Sequence, residues 1–194
     1  MKFDSYKELI QKTLDSLDNS QIENLLNLLV DAYKNGKFVF VIGNGGSAAN
    51  ASHLAQDLAK GTRALKEQTK RLKALSLTDN TPFITAQGND EGYDSIFEQQ
   101  LRIFASKGDL LIAISGSGNS PNILKAIEWA KANGVVTVGV TGYDGGKLMQ
   151  MADHKLHVPL DEMCTAESIH SIVFHYIILE LREKFKSISP ENSG

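Results

Sequence analysis

A chain of 194 residues, 42% hydrophobic and 22% charged, fits one globular domain with a sizeable core. Its formal net charge of -3 argues against nucleic acid as the main ligand, because phosphate backbones are bound by basic surface. A single cysteine, Cys164, excludes an internal disulfide framework, and no run approaches the ~20 apolar residues of a membrane span. The charged and polar first residues carry no signal pattern, so a cytoplasmic protein without a membrane partner is expected.

In chain order, residues 3–35 place Leu25, Leu28, Leu29 and Ala32 at helical spacing. The stretch from Ser16 to Ser20 breaks this arm (1–35) into two helices, which pack on another subunit or on the domain's own flank. Lys37–Ile42 is a short β-run ending in glycine, Ser47–Lys60 a helix and Leu72–Thr78 a second strand. Thr81–Gln87 is a short helix or turn, and Tyr93–Ser106 a longer helix. Asp109–Ser115 is a nearly continuous apolar strand, followed by a helix over Ser120–Asn133 with Gly134 at its stop. Val135–Thr141 is the fourth strand, Gly145–Ala152 a short helix, His154–Val158 the fifth strand, and Thr165 to about Phe185 a long final helix. Strands alternating with helices predict an α/β core (36–188): a doubly wound, five-stranded parallel sheet of flavodoxin-like order, with helices on both faces. The whole chain, 1–194, reads as a single domain. The basic stretch Lys66–Lys73 reads as a solvated face, and the Ser-Pro-Glu-Asn-Ser-Gly end as a frayed tail.

Two strands end in loops suited to phosphate. The first, Gly43-Asn44-Gly45-Gly46-Ser47-Ala48, satisfies the G-x-G-x-x-[GA] turn of dinucleotide sites. Such sites also need an acidic residue ~20 positions on, for the ribose. Glu67 lies in a polar stretch before the second strand and Asp79 is far along, so no nucleotide is expected. The loop still offers backbone N–H groups at a helix start, where Ser47 suits the N-cap. The second loop, Ser115-Gly116-Ser117-Gly118-Asn119-Ser120-Pro121, sets hydroxyls and N–H groups at another helix start, with Ser120 as N-cap and Pro121 first in the helix. With no basic residue among them, these groups suit a phosphate monoester held by hydrogen bonds.

At these loops the chain resembles the sugar isomerase (SIS) domain, and more closely the phosphoheptose isomerases. The resemblance rests on Gly43 to Ala49 followed by His53, on Gly88-Asn89-Asp90, on Ile114 to Ser120, on Thr141-Gly-x-x-Gly-Gly146, and on Glu167 to His175. It implies a homotetramer with active sites at subunit interfaces. It also implies conversion of sedoheptulose 7-phosphate into D-glycero-D-manno-heptose 7-phosphate for surface heptose synthesis. Ser115, Ser117 and Ser120 would hold the phosphate, with Asn119 nearby. Asn44, Gly45, Gly46, Ser47 and Asp90 would contribute from neighbouring loops.

Aldose–ketose isomerisation moves a proton between adjacent carbons, which needs a base for the C–H and an acid for the oxygens. His53 and Asp57, four residues apart, share one helix face at metal-ligand spacing. Glu167, Ser171 and His175 fall near one face of the last helix. In the family the positions of His53, Asp57, Glu167 and His175 form a zinc site, so a divalent cation is expected. The family's catalytic pair stands at Asp57 and His175. The family has glutamate where Asp57 stands and glutamine where Glu167 stands. The two carboxylates could have exchanged jobs, with Glu167 as base. Eight residues of helix span ~12 Å, so Glu167 and His175 share a metal only if their side chains converge. The departures keep two other readings open: a non-catalytic scaffold that binds the bacterial replication initiator, and an isomerase of another phosphosugar. His170 reads as structural or supporting, Phe97, Phe104 and Trp129 as core, Cys164 as a small half-buried residue; His154 and His157 receive no role.

Overall fold

The structure, a computed structural model, describes residues 1–63 and 70–188. Two helices, α1 (Phe3–Asp15) and α2 (Asn19–Asn35), open the chain. The break between them is set by Asp18, whose carboxylate accepts the Ser20 amide at 2.9 Å as an N-cap. Then follow β1 (Phe38–Gly43), α3 (Gly46–Gln56), a π-helical turn (Asp57–Gly61) and β2 (Lys73–Ser76). Next come α4 (Thr81–Asp90), a 3-10 turn (Tyr93–Ser95), α5 (Glu98–Phe104) and β3 (Leu110–Ser115). The chain continues through α6 (Pro121–Ala132), β4 (Val136–Thr141), α7 (Gly146–Met151), β5 (His154–His157) and α8 (Met163–Ile188).

The five strands form one parallel sheet in the order β2-β1-β3-β4-β5, the expected doubly wound arrangement. Strand side chains alternate between two cores, which is why the central strands are apolar throughout. Val39, Val41, Ile112 and Val140 face α2, α3 and α8; Phe40, Ile42, Leu111 and Ala113 face α5 and α6. The amino-terminal arm is thus part of the fold's own flank, since Leu25, Leu29 and Tyr33 of α2 are buried in the first core.

Some expectations shift. The helix expected over Tyr93–Ser106 is broken, because Ile96 and Phe97 turn into the second core between the 3-10 turn and α5. Phe97 is buried, Trp129 packs on the core's edge, but Phe104, the last residue of α5, is exposed. Cys164 is exposed rather than half-buried. The helix expected over Ser47–Lys60 is α-helical only to Gln56 and then widens into the π-turn. Of the basic stretch, Glu67 and its neighbours 64–69 lie outside the described residues, as does the tail 189–194. Lys70 donates to the Lys34 carbonyl and Lys73 lies over the Phe38 ring, both against the chain's own surface.

His170 of α8 is completely buried; its Nε2 meets the Thr141 carbonyl at 3.1 Å and its Nδ1 has no partner among the described residues. Burial pushes its pKa from 6.5 down to about 4. The unfolded chain therefore takes up a proton near pH 6.5 that the folded chain refuses until about pH 4, and stability falls as pH drops through that window. Denaturant titrations of the wild type and His170→Gln at pH 7.5 and 5 should show the wild type losing up to about 2 kcal/mol more on acidification. Equal losses would contradict this account.

Candidate active site

The helices α3 and α8 run side by side in the same direction. Ser47 meets Glu167, Asn50 meets Ser171, His53 meets His175, and Gly61 meets Arg182. Between the ends, Asn50 Nδ2 donates to the Glu167 carbonyl at 3.0 Å and Ser171 Oγ donates to Asn50 Oδ1 at 2.7 Å. The seam has a polar cavity at one end and a histidine–carboxylate cluster at the other.

At the cluster, His53 Nε2 lies 3.3 Å and His175 Nε2 3.7 Å from Asp57 Oδ2, and the two nitrogens are 3.5 Å apart. Three electron-rich atoms thus converge, all within 4.8 Å of one another. For a tetrahedral ion with ligand bonds of about 2.1 Å, ligand atoms sit about 3.4 Å apart. The triangle matches that edge, so these three residues fit a divalent cation. Two histidines and one carboxylate would leave a fourth position open, as catalytic sites require. Asp57 stands at the first position of the π-turn, a feature frequent at functional sites. The turn is supported from α8, where Arg182 Nε donates to the Gly61 carbonyl. Although Asp57 is a methylene shorter than the family's glutamate, it reaches both histidines.

Glu167 does not join this triangle. Two helical turns away, its carboxylate lies against Gly46 and accepts a hydrogen bond from Ser47 Oγ at 3.2 Å. The helix-length limit decides the matter: within this chain, Glu167 and His175 do not converge. The first turn of α3 also differs from expectation. Gly45, with φ +55°, is the N-cap and Ser47 is the second residue of the helix. Gly45 supplies no side-chain cap, and the Glu167 carboxylate packs beside this first turn.

The cavity, of about 290 Å³, is lined by Asn44, Gly45, Gly46 and Ser47 from the first loop. Ser115, Ser117 and Ser120 line it from the second, with Met163 and Glu167 from α8. Ser120 is the N-cap of α6, makes no side-chain capping bond, and is followed by Pro121, while Asn122 Oδ1 accepts the Ile123 amide; a helix start of this kind suits an anion. Ser115 and Ser120 hydroxyls stand 3.4 Å apart. Asn119 points elsewhere: its side chain bonds the Ser117 carbonyl and the Lys147 amide, bracing the loop. Asp90, at the end of α4, is exposed and pairs with Asn89.

Sequence reasoning missed Asn122, which is 2% exposed. Asn44 and Asn122 exchange two amide hydrogen bonds, each 2.9 Å, and the Tyr93 hydroxyl donates to Asn44 Oδ1 at 3.1 Å. Asn44 thus ties the two loops together. The available signal was a polar residue directly after Pro121 at the start of an apolar helix; its partner, 78 residues away, had none.

A doubly wound parallel sheet with both ligand-grade loops outside its strand carboxyl ends belongs to the α/β proteins that bind ligands at that edge. Comparison with known proteins narrows the class. The SIS domain profile matches residues 3–142. The chain is 39% identical over 180 residues to the phosphoheptose isomerase of Aliarcobacter butzleri, covering 93% of each. The phosphoheptose isomerase structure from Neisseria gonorrhoeae superposes with a TM-score of 0.84 at 30% identity, covering 93% of this chain and 95% of that one. That from Francisella tularensis gives 0.82, also at 30% identity, with 93% and 94% covered. The chain belongs to the SIS domain family and, within it, to the phosphoheptose isomerases.

Metal titration followed by equilibrium dialysis should find one divalent ion per chain. His53→Asn and His175→Asn should each weaken it by two orders of magnitude or more, whereas Glu167→Ala should leave its affinity within about twofold. A strong loss in Glu167→Ala would return that residue to the ligand set.

Proposed function

We propose that the protein isomerises sedoheptulose 7-phosphate to D-glycero-D-manno-heptose 7-phosphate for surface heptose synthesis. The observation that carries this reading is the separation of the two ends of the α3–α8 seam. Gly46 to His53 spans about 10 Å of helix and Glu167 to His175 about 12 Å. With C–C bonds of about 1.5 Å, an extended seven-carbon chain ending in phosphate reaches about 10 Å. The substrate's phosphate would sit on the Ser115–Ser120 loop while C1 and C2 lie at His53, Asp57 and His175.

Asp57 is the base that takes the C–H proton, and His175 serves the two oxygens as the hydrogen shifts between carbons. Asp57 is mostly shielded, with 19% of its side chain exposed, whereas His175 is open to an incoming sugar. Zinc is the ion proposed for the triangle; when bound it polarises the sugar oxygens as a Lewis acid. Glu167, far from the reacting carbons in this arrangement, is not the base. A non-catalytic scaffold has no need of a converging ligand triangle, so the assembled cluster favours the enzyme.

The assembly is proposed to be a homotetramer that closes the active site. His53 and His175 are more than half exposed, and Ile172, Tyr176 and Leu179 form an exposed apolar stripe on α8 beside them. A groove between α1, α2 and α8, lined by Leu14, Leu17, Ile22, Leu26 and Tyr176, continues that surface. The whole is the face a second copy would cover.

Purified protein with zinc should convert sedoheptulose 7-phosphate to the aldose; no turnover with or without the metal would remove this substrate, and a faster ketose phosphate in a panel would replace it. Asp57→Asn should lower kcat by about 10²–10⁴, and Asp57→Glu should retain much of it. Light scattering should give a tetramer, and Tyr176→Glu with Leu179→Glu should yield smaller species of reduced activity; a monomeric wild type would refute the assembly.

A further inference from the structure

Two helix starts face the 290 Å³ cavity, and they are not equivalent. Neither has a side-chain capping bond from its N-cap residue, and at α6 Asn122 Oδ1 accepts the Ile123 amide. Only the α3 start has a carboxylate of the protein packed beside it. Glu167 lies so close to Gly46 that a Cβ there would collide with the carboxylate, and Ser47 Oγ donates to it. Asn50 fixes the Glu167 carbonyl from the same helix that the carboxylate packs against, so backbone and tip are both anchored. Among the described residues, no lysine or arginine lines the cavity. A phosphate entering it therefore meets the negative charge of Glu167 without a compensating cation from those residues.

We propose that Glu167 is the specificity-determining residue of this cavity. Its carboxylate takes the anion position at α3 and confines the substrate's phosphate to the Ser115–Ser120 side. The substrate group that faces α3 must then be a hydrogen-bond donor, a hydroxyl, which a carboxylate accepts strongly. Polyol monophosphates satisfy both demands. Ligands with a second anionic group, such as bisphosphates or phosphorylated sugar acids, place like charges together in a partly walled site, where repulsion exceeds that in water. A neutral amide at this position would donate as well as accept, and would lose the discrimination. The inference rests on the phosphosugar reading.

Titration of the full-length protein with inorganic phosphate and with pyrophosphate tests it. Glu167→Gln should bind phosphate about tenfold more tightly than the wild type at low salt, and gain more for pyrophosphate. The gain should shrink as potassium chloride is raised, since the effect is one of charge. Glu167→Asp, which keeps the charge, should stay near the wild type, while Glu167→Ala should shift like the glutamine variant. Ser117→Ala should weaken phosphate in both backgrounds. If Glu167→Gln leaves phosphate affinity unchanged or lowers it while Ser117→Ala still weakens it, the role of Glu167 is overturned and the phosphosugar reading stands. If no form binds phosphate, that reading falls as well.

Discussion

The site depends on one packing constraint: α3 and α8 lie side by side and point the same way. Their apolar faces share one core, with Ala51, Leu54 and Leu58 of the first segment against Ala166, Ile169, Val173 and Ile177 of the second. Asn50 locks the register between them by accepting from Ser171 and donating to the Glu167 carbonyl. A slip of one residue along either helix would rotate side chains by about 100°. His53 would then lose His175, and Ser47 would lose Glu167. Packing energy at the sheet surface is thus converted into the relative position of groups from sequence segments more than 100 residues apart.

The same constraint separates two tasks. Both helices begin at the carboxyl edge of the sheet, so the cavity lies beside their first two turns. The two histidines and Asp57, proposed for proton and metal chemistry, meet two turns later. The π-turn at Asp57 widens the helix where the resemblance implies a longer acid, glutamate. The two departures from the family pattern therefore sit at opposite ends of the seam and bear on different steps. In the proposed reading, Asp57 acts at the reacting carbons and Glu167 selects the group beside the phosphate.

The sheet was legible in the sequence because its strands are buried on both faces, which leaves unbroken apolar runs such as Leu110–Ile114. Both ligand loops were legible because glycine and serine after such a run have few purely structural uses. His53 and Asp57 could be paired from their spacing alone. Helix periodicity could not place Glu167: it shares a face with His175, yet axial distance keeps them apart, and only the partner helix shows which group each one meets. The π-turn had no signature in Asp-Leu-Ala-Lys-Gly, since its extra residue is accommodated by backbone hydrogen bonds and by Arg182. Asn122 and Tyr93 were invisible for a similar reason, because their roles exist only once distant loops meet at Asn44.

The most direct measurement of the central claim is a structure of the zinc-loaded protein with sedoheptulose 7-phosphate bound. The account predicts phosphate oxygens on Ser115, Ser117 and Ser120 at the start of α6. It also predicts the C1–C2 end within ~3 Å of the Asp57 carboxylate and His175, with Glu167 facing a sugar hydroxyl and making no bond to the metal. A sugar bound in the opposite sense, or a reacting carbon beside Glu167 instead of Asp57, would contradict it.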